Sequence, residues 1–142
     1  MSVNYFTNFG FAGHELTAFH CTHTYLGRLE NTDPTRIISL LNNFFAERRT
    51  PQFGVCFDEP RILNARRVLA TASSNFAEQY GVLFRQIHDI SPSEHDFCPH
   101  VTLPAADRRS EFTGLINRYV LVEKKNREIT LLYARKFASG KR

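Results

Sequence analysis

The strongest constraint on the fold is a short pattern that occurs twice, each time among residues that favour a β-strand. The first copy lies in the segment HCTHTYLG, as His20 and Thr22, and the second in CPHVTLP, as His100 and Thr102. Side chains two residues apart on a strand point to the same side, so each strand presents an imidazole beside a hydroxyl. If the two strands pair, or face each other across a cleft, these four side chains surround one small space.

The first half of the chain predicts a helix followed by a strand. The segment NTDP predicts a helix start, with Thr32 or Asp33 as the cap and Pro34 in the first turn, where its missing N–H is not needed. Apolar residues then recur on one helical face as far as Phe45. The alternating segment QFGVCFD predicts a strand of about six residues.

The rest of the chain predicts a second helix and several strands. Apolar residues recur every three or four positions from Pro60 to Tyr80, which predicts a helix with Gly81 as its C-terminal stop. VLFRQIHDI alternates and predicts a strand, and ISPSEHD is typical of a loop. A short helix is predicted for Glu111–Arg118. The final segment YVLVEKKNREITLLYARKF predicts two strands joined by a polar turn.

These elements define the fold class. Their order, β-β-α-β-α-β-β-α-β-β, predicts an α+β protein whose helices cover sheet faces. A length of 142 residues suits a single domain spanning residues 1–142. Each half offers a His-x-Thr strand, a helix and further strands, but the halves share almost no sequence outside the motif, so internal duplication stays a hypothesis.

Composition predicts a soluble protein of the cytoplasm. Hydrophobic residues make up 42% and charged residues 23%, and no apolar run approaches the length of a membrane span. The N-terminal segment MSVNYFTNFG lacks the basic start and apolar core of a secretory signal. The three cysteines, Cys21, Cys56 and Cys98, are an odd number, so we expect buried free thiols rather than disulfides.

The net charge favours anionic partners. Eighteen Lys and Arg against fourteen Asp and Glu give +4, a balance whose long-range field attracts groups such as phosphates. Lys141 and Arg142 supply part of this excess and are typical of a frayed tail. A generally basic soluble protein is therefore an alternative explanation of the charge.

Two imidazoles and two hydroxyls around one space would suit a phosphodiester. The hydroxyls can donate hydrogen bonds to its non-bridging oxygens, while a neutral imidazole accepts a proton from water and a protonated one gives a proton to the departing alkoxide. Histidine can do both near neutral pH, and this chemistry requires no metal ion. The alternative is that each histidine is a satisfied structural residue, since the three-residue pattern alone is weak.

The context of the two motifs adds a resemblance. HCTHTYLG resembles the H-h-T-h-x-F-L-G signature of the two-histidine, LigT-like, phosphoesterase superfamily, in which h is a hydrophobic residue. His20, Thr22, Leu26 and Gly27 match it, with Tyr25 at the aromatic position. The second signature, an aromatic followed by P-H-h-T-h, is matched by Phe97, Pro99, His100, Val101, Thr102 and Leu103.

The resemblance implies a fold and an activity. It implies a bilobal fold of two antiparallel sheets related by pseudo-twofold symmetry, with helices on the outer faces and a cleft where the motifs meet. Members hydrolyse 2′,3′-cyclic phosphates on RNA ends or nucleotides, 2′-5′ linkages, or cyclic oligonucleotide messengers, without a metal or other cofactor. His20 and His100 would be the acid–base pair, with Thr22 and Thr102 binding phosphate. In size the chain resembles compact viral members that degrade host immune messengers, which would place it in the host cytoplasm.

The chain also departs from the family pattern. Many relatives have Lys or Arg two residues beyond the first Thr, where this chain has Thr24, and a basic residue soon after the second motif. Here Pro104–Asp107 intervenes before Arg108 and Arg109. Arg108 is therefore the candidate cation for substrate binding on that side.

Aromatic side chains are candidates for stacking on a base. Tyr25, Phe97 and Tyr133 could each serve, since base–aromatic contacts contribute roughly 1–3 kcal/mol. The alternative is that these rings belong to the core, because the chain has thirteen Phe, five Tyr and no Trp. Strict alternation along a strand would place Tyr25 on the face opposite His20 and Thr22, which favours the core.

Two other functions remain open. A zinc site could draw on His95, Cys98, His100, His20 and His23, but no CxxC or HExxH spacing is present, and His20 and His23 would point to opposite faces of a strand. A non-catalytic RNA-binding module would suit the basic charge and aromatic content, but it leaves both threonines unexplained. Replacing His100 with Ala separates these functions from catalysis, because a binding module should keep most of its affinity, whereas an enzyme should lose turnover while still holding its substrate.

Overall fold

The fold consists of a mainly antiparallel sheet and two helices, seen in a computed structural model that describes residues 3–27, 34–46, 48–72, 75–91 and 98–139. In chain order the elements are β1 (Val3–Phe11), β2 (His20–Gly27), α1 (Pro34–Phe45), β3 (Phe53–Phe57), β4 (Glu59–Leu63), β5 (Arg66–Ala70), α2 (Asn75–Ile90), β6 (His100–Thr102), β7 (Phe112–Lys125) and β8 (Glu128–Lys136). The predicted α+β class is confirmed.

The described strands form one hydrogen-bonded series with the order β3-β7-β1-β2-β6-β5-β4. Strand β7 is the longest, and it pairs with β1 on one side and with β3 and then β8 on the other. Two halves meet where β2 pairs with β6, through the single registered pair of Cys21 and Val101 among the described residues. The two expected sheets are therefore halves of one sheet, joined where the His-x-Thr motifs lie.

Both helices pack on the same face of this sheet. Buried residues of α1 and α2 form one cluster with strand residues that include Phe9, Cys21 and Val101. Helix α1 begins at Pro34 as predicted, and its buried face consists of Ile37, Leu41, Phe44 and Phe45. Thr32 and Asp33, the predicted caps, lie outside the described residues.

The predicted helix from Pro60 to Tyr80 is wrong for most of its length. Strands β4 and β5 form a hairpin whose two turn residues, Asn64 and Ala65, both have positive φ (50° and 63°), as type I′ hairpin turns require. Because β4 is the last strand of the sheet order, Pro60 can lie within it without breaking a central ladder. The helical spacing of apolar residues was accidental, since Ile62 is 66% exposed.

Helix α2 begins at Asn75 and continues through the segment predicted as a strand. Phe76, Tyr80, Leu83 and Ile87 recur every three or four positions and are fully or almost fully buried. Gly81 was predicted to end a helix, but it lies inside this one. A glycine inside a helix costs about 1 kcal/mol, less than the burial of two or three large side chains contributes.

Strand β7 replaces the short helix predicted for Glu111–Arg118. Phe112 and Ile116 point into the core, while Gly114 leaves room for neighbouring rings, because a Cβ there would lie 2.5 Å from the Phe11 Cδ1 atom. The predicted final hairpin is confirmed as β7 and β8, and Asn126 adopts a positive φ of 58° in its turn.

The loop ISPSEHD falls mostly on residues outside those described.

The three cysteines are free, as predicted, but only Cys21 is fully buried and Cys56 is exposed. Over the described ranges, neither helix is long and apolar enough to cross a lipid bilayer.

Candidate active site

The pairing of β2 with β6 places the two motifs side by side. Cys21 stands opposite Val101 in antiparallel register, which sets His20 opposite Thr102 and Thr22 opposite His100. Cys21 and Val101 are fully buried in the helix-facing core. Because side chains alternate along a strand, the four motif side chains share the other side of the sheet, which we call the histidine face.

The register also sets the spacing of the site. His20 and His100 are diagonal neighbours across the strand pair, a relation that separates Cα atoms by about 7–8 Å and keeps long side chains within reach of each other. An antiparallel pair has a local twofold axis, here between Cys21 and Val101. This axis relates one His-x-Thr motif to the other, and all four motif residues are half-buried.

The two imidazoles are held in the same way. The Nδ1 atom of His20 lies 2.7 Å from the Leu16 carbonyl oxygen, and that of His100 lies 2.8 Å from the Cys98 carbonyl oxygen. A carbonyl oxygen can only accept, so Nδ1 carries the proton in each ring. Nε2 is therefore the nitrogen that each ring has available for proton transfer.

Burial and nearby charges favour one protonation state of His20. Burial lowers its pKa below the usual 6.5, the Leu16 carbonyl partly opposes this by accepting from the ring, and the charges of His100 and Lys124 lower the pKa further. The neutral imidazole is therefore favoured at neutral pH.

Strand β1 contributes residues that the sequence had not indicated. Asn8 stands opposite Thr22 and Gly10 opposite His20, so both belong to the histidine face. Asn8 is only 6% exposed, and its Oδ1 atom has no hydrogen-bond partner within the described part of the chain. A buried amide of this kind beside Thr22 is unusual, because most buried polar atoms are paired.

The absence of a side chain at Gly10 makes room for Arg118. A Cβ at Gly10 would lie 2.6 Å from the Arg118 Cζ atom, and the two residues are register partners on β1 and β7. The guanidinium donates to the carbonyl oxygens of Phe11 and His14, at 3.0 and 2.8 Å. Arg118 thus fixes the start of the β1–β2 loop, whose later residue Leu16 holds His20.

A β-bulge changes the orientation of Tyr25. The β1 partners Asn8 and Thr7 are consecutive, but they face Thr22 and Thr24, so His23 is an extra residue in β2. His23 and Thr24 are both 2% exposed, and the half-buried Tyr25 follows them. Tyr25 therefore returns to the side of Thr22, which corrects the expectation from strict alternation.

The structure locates the other predicted binding residues as follows. Tyr133 pairs with the core residue Leu121 and stacks on Phe45, with ring centroids 6.4 Å apart, so it lies on the helix face and its predicted place in the site is wrong. Arg108 is exposed in the loop between β6 and β7. Phe97 lies outside the described residues.

The same loop is fixed by its other arginine. The Arg109 Nε atom lies 3.0 Å from a carboxylate oxygen of Asp107, and the guanidinium lies 4.9 Å from the centre of the Phe19 ring. Arg67 donates to the carbonyl oxygens of both loop residues. These contacts connect the loop after β6 to the residue that directly precedes His20.

The proposed zinc ligands do not come together in the described structure. His23 is buried on the side opposite His20, where its Nδ1 accepts a hydrogen bond from the Tyr119 hydroxyl (2.7 Å) and its Nε2 donates to the Tyr80 carbonyl (3.2 Å). Burial lowers its pKa to about 3. His95 lies outside the described residues, and no group of three His, Cys, Asp or Glu within them could hold a metal ion.

A cavity of about 580 Å³ opens beside one half of the site. Thr22 and His100 line it, together with Tyr25 and two residues of α2, Phe84 and His88. It lies where β2 continues beyond its pairing with β6.

Comparison with known proteins identifies the fold. No family model matches the sequence, and no curated protein matches it. The crystal structure of a phosphoesterase is similar over 94% of this chain and 98% of its own, with a TM-score of 0.68 and 15% identity. The crystal structure of E. coli LigT complexed with NADP+ is similar over 96% of this chain and 99% of its own, with a TM-score of 0.67 and 14% identity. The crystal structure of a Thermus thermophilus protein is similar over 97% of this chain and 100% of its own, also with a TM-score of 0.67 and 14% identity.

These likenesses define the class of fold. The chain has the LigT-like two-histidine phosphoesterase fold, and the resemblance carried by the two His-x-Thr segments is confirmed at the level of the fold. The relatives share only about one residue in seven with this chain, so its chemistry must be argued from its own side chains.

Proposed function

We propose that this protein is a metal-independent phosphodiesterase that hydrolyses cyclic nucleotides or cyclic oligonucleotides. His20 and His100 act as the acid–base pair, and Thr22 and Thr102 bind the phosphate. The observation that carries the proposal is the register of β2 with β6, which groups these four side chains on the histidine face. A structural role for the histidines would not require two hydroxyls beside them.

The proposed reaction is one in-line displacement. A water oxygen attacks phosphorus and gives a proton to the Nε2 atom of the neutral imidazole, while the bond from phosphorus to the departing oxygen breaks. The other imidazole, protonated, donates its Nε2 proton to that oxygen. Each proton transfer of this kind typically contributes roughly 10²- to 10⁴-fold to the rate. Both threonine hydroxyls donate to the non-bridging oxygens as negative charge develops there.

We assign the role of base to His20 and the role of acid to His100. Burial, together with the charges of His100 and Lys124, lowers the pKa of His20 and so favours the neutral form that a base needs. A diester with a p-nitrophenyl leaving group tests this assignment, because that group departs without a proton. His100→Ala should keep much of its activity on this diester, and His20→Ala should lose it. The reverse result would exchange the two roles.

The known ligands of relatives support a nucleotide substrate. Structures of E. coli LigT contain 3′-AMP, ATP or NADP+. All of these combine a phosphate with a nucleoside, the combination that a site of two imidazoles beside an aromatic-lined cavity would suit. RNA ends carrying a 2′,3′-cyclic phosphate, or 2′-5′ linkages, are the second class of substrate.

A substrate panel tests the proposal. The protein is incubated in excess EDTA with 2′,3′-cyclic mononucleotides, RNA with cyclic phosphate ends, 2′-5′ oligoadenylates, and cyclic di- and trinucleotides, and products are analysed by mass spectrometry. Preference for cyclic oligonucleotides would support the viral role in degrading immune messengers, and preference for RNA ends would support the second class. Turnover that EDTA abolishes would contradict the metal-independent reaction.

Two histidine variants separate catalysis from binding. His20→Ala and His100→Ala should reduce turnover at least 100-fold while retaining affinity for the substrate, since one proton transfer is lost. If the wild-type protein binds RNA but none of the diesters is hydrolysed, the chain is the non-catalytic RNA-binding module instead.

A further inference from the structure

Two buried polar atoms without a hydrogen-bond partner occur on the helix side of the sheet, away from the histidine face. Within the described part of the chain they are the Tyr80 hydroxyl oxygen and the Arg135 Nε atom. Tyr80 is only 2% exposed, and Arg135 stands opposite the core residue Tyr119 on β7. Leaving buried donors unpaired is costly, so two of them on the same side of the sheet require a physical explanation.

Both side chains belong to the region where α1 ends. The Arg135 guanidinium donates to the Arg48 carbonyl oxygen at 3.0 Å and lies 5.6 Å from the centre of the Phe45 ring. The Tyr80 ring, on α2, packs against the ring of Phe44, with centroids 6.2 Å apart. The Arg48 guanidinium lies 4.2 Å from the centre of the same Phe44 ring. The two unpaired donors are therefore accompanied by a second positive charge.

A cavity of about 390 Å³ lies at this end of α1. Tyr80 lines it, together with Arg48, Arg49 and Thr50, which follow the helix. One carboxylate, that of the exposed Glu78, is also part of the lining. Positive charge therefore exceeds negative charge around the cavity, and its volume is within the usual range for small-molecule sites.

The unpaired groups are suited to an acceptor that carries negative charge. Burial raises the pKa of the Tyr80 hydroxyl above its usual 10, and the charges of Arg135 and Arg48 lower it only partly, so the hydroxyl keeps its proton at neutral pH. The Arg135 Nε–H can only donate. A water molecule could accept from either group, but it would not offset the guanidinium charges. An oxyanion does both, and its hydrogen bonds to charged donors are stronger than neutral ones.

We propose that this cavity binds a phosphate oxyanion, held by the Tyr80 hydroxyl, the Arg135 Nε–H and the Arg48 guanidinium. The tetrahedral group offers enough acceptor oxygens for all three donors. This site is separate from the proposed phosphodiesterase reaction, because Tyr80 and Phe44 belong to the helix-facing core, whereas the four motif side chains share the histidine face. We call it the helix-side anion site.

An NMR titration with inorganic phosphate tests this site in the intact chain. The Nε–H resonance of Arg135, identified by its loss in Arg135→Lys, should shift and saturate as phosphate replaces chloride at constant ionic strength. Tyr80→Phe, which removes only the hydroxyl, should raise the Kd read from Arg135 about tenfold or more, as expected when a hydrogen bond to a charged group is lost. Tyr133→Phe is the matched control and should leave this Kd unchanged, although its ring also packs near α1, on Phe45.

Phosphate bound at the histidines does not affect this reading. His100→Ala should leave the Kd read from Arg135 unchanged, because the sheet lies between the two sites. Ribose 5-phosphate, titrated in parallel, distinguishes a phosphate ester from the free ion, since tighter binding of the ester would assign the rest of the cavity to its organic part. An Arg135 resonance that does not shift at millimolar phosphate, or an equal Kd in wild type and Tyr80→Phe, would refute the site and leave a buried water as the partner.

A second test measures thermal unfolding. In chloride buffer Tyr80→Phe should have the same Tm as wild type or a higher one, because it removes a buried donor that has no partner. Phosphate at constant ionic strength should raise the Tm of wild type more than that of Tyr80→Phe, and stabilisation through the motif residues is common to both proteins and cancels. A lower Tm of the variant in chloride would show that the hydroxyl is already paired, and an equal rise with phosphate would show that the hydroxyl does not bind it. Either result would overturn the proposal.

Discussion

The buried imidazole of His23 should make the protein sensitive to mild acid. His23 is 2% exposed, and burial lowers its pKa to about 3, against about 6.5 in an unfolded chain. As pH falls through 6.5, the unfolded state gains a proton at this residue that the folded state does not take up. Stability due to this group is therefore fully present above pH 6.5 and is lost progressively as pH falls towards 3.

The size of the effect follows from these two pKa values. Between pH 7 and pH 5 the free energy of unfolding should fall by about 2 kcal/mol through this residue alone. His23→Gln should remove that part of the pH dependence, because glutamine can still donate and accept hydrogen bonds near Tyr119 and Tyr80 but does not titrate. The variant should be less stable at pH 7 by roughly 1–2 kcal/mol, owing to imperfect packing, and about as stable as wild type at pH 5.

Urea unfolding at pH 7, 6 and 5 measures this difference. The contribution of His20, whose pKa is also lowered, is present in both proteins and cancels in the comparison. Parallel stability curves for wild type and variant would refute the reasoning. If the variant does not fold, NMR titration of the wild-type imidazoles gives the same information, and a His23 ring that protonates above pH 5 would equally contradict it.

Three further substitutions test other parts of the structure. Gly10→Ala should reduce kcat about tenfold without unfolding the protein, because its Cβ would displace the Arg118 guanidinium. Gly54→Ala is the control and should leave kcat unchanged, because no neighbouring atom would lie closer than 3.9 Å to its Cβ. Lys124→Gln should raise KM for nucleotides roughly threefold to tenfold with little change in kcat, since it removes a positive charge that acts on His20 and attracts anions. Ala65→Gly should stabilise the protein by about 0.5–1 kcal/mol, seen as a rise of about 2–4 °C in Tm, because glycine adopts a φ of 63° without strain.

Sequence reasoning succeeded where a pattern was local and complete. The i, i+2 spacing of each motif was enough to place His and Thr on one face, and Pro34 with the following apolar stripe was enough to define α1. The final hairpin was equally clear, because a polar turn separates two apolar runs. In these segments the side-chain period and the turn residues favour the same structure.

Sequence reasoning failed where pairing with another strand determines the geometry. The turn at Asn64 and Ala65 lacks the glycine that usually marks a two-residue hairpin. A helix was therefore predicted there, from an accidental helical spacing of the apolar residues. The bulge at His23 depends on register with β1 and has no signal in β2 alone. Asn8 and Arg118 are near the site only through pairing across the strands β2, β1 and β7, so neither could be found from spacing within one segment.

The pairing of β1 with β7 determines when this protein can fold. Strand β1 consists of residues near the start of the chain, yet it pairs along its whole length with β7, which is made more than a hundred residues later. During synthesis, β1 and β2 must therefore wait, with one edge unpaired, until almost the entire chain has left the ribosome. Contacts this distant in sequence slow folding. The nascent chain should consequently depend on chaperones that shield exposed strand edges, and C-terminal truncation before Lys125 should abolish the fold rather than shorten it.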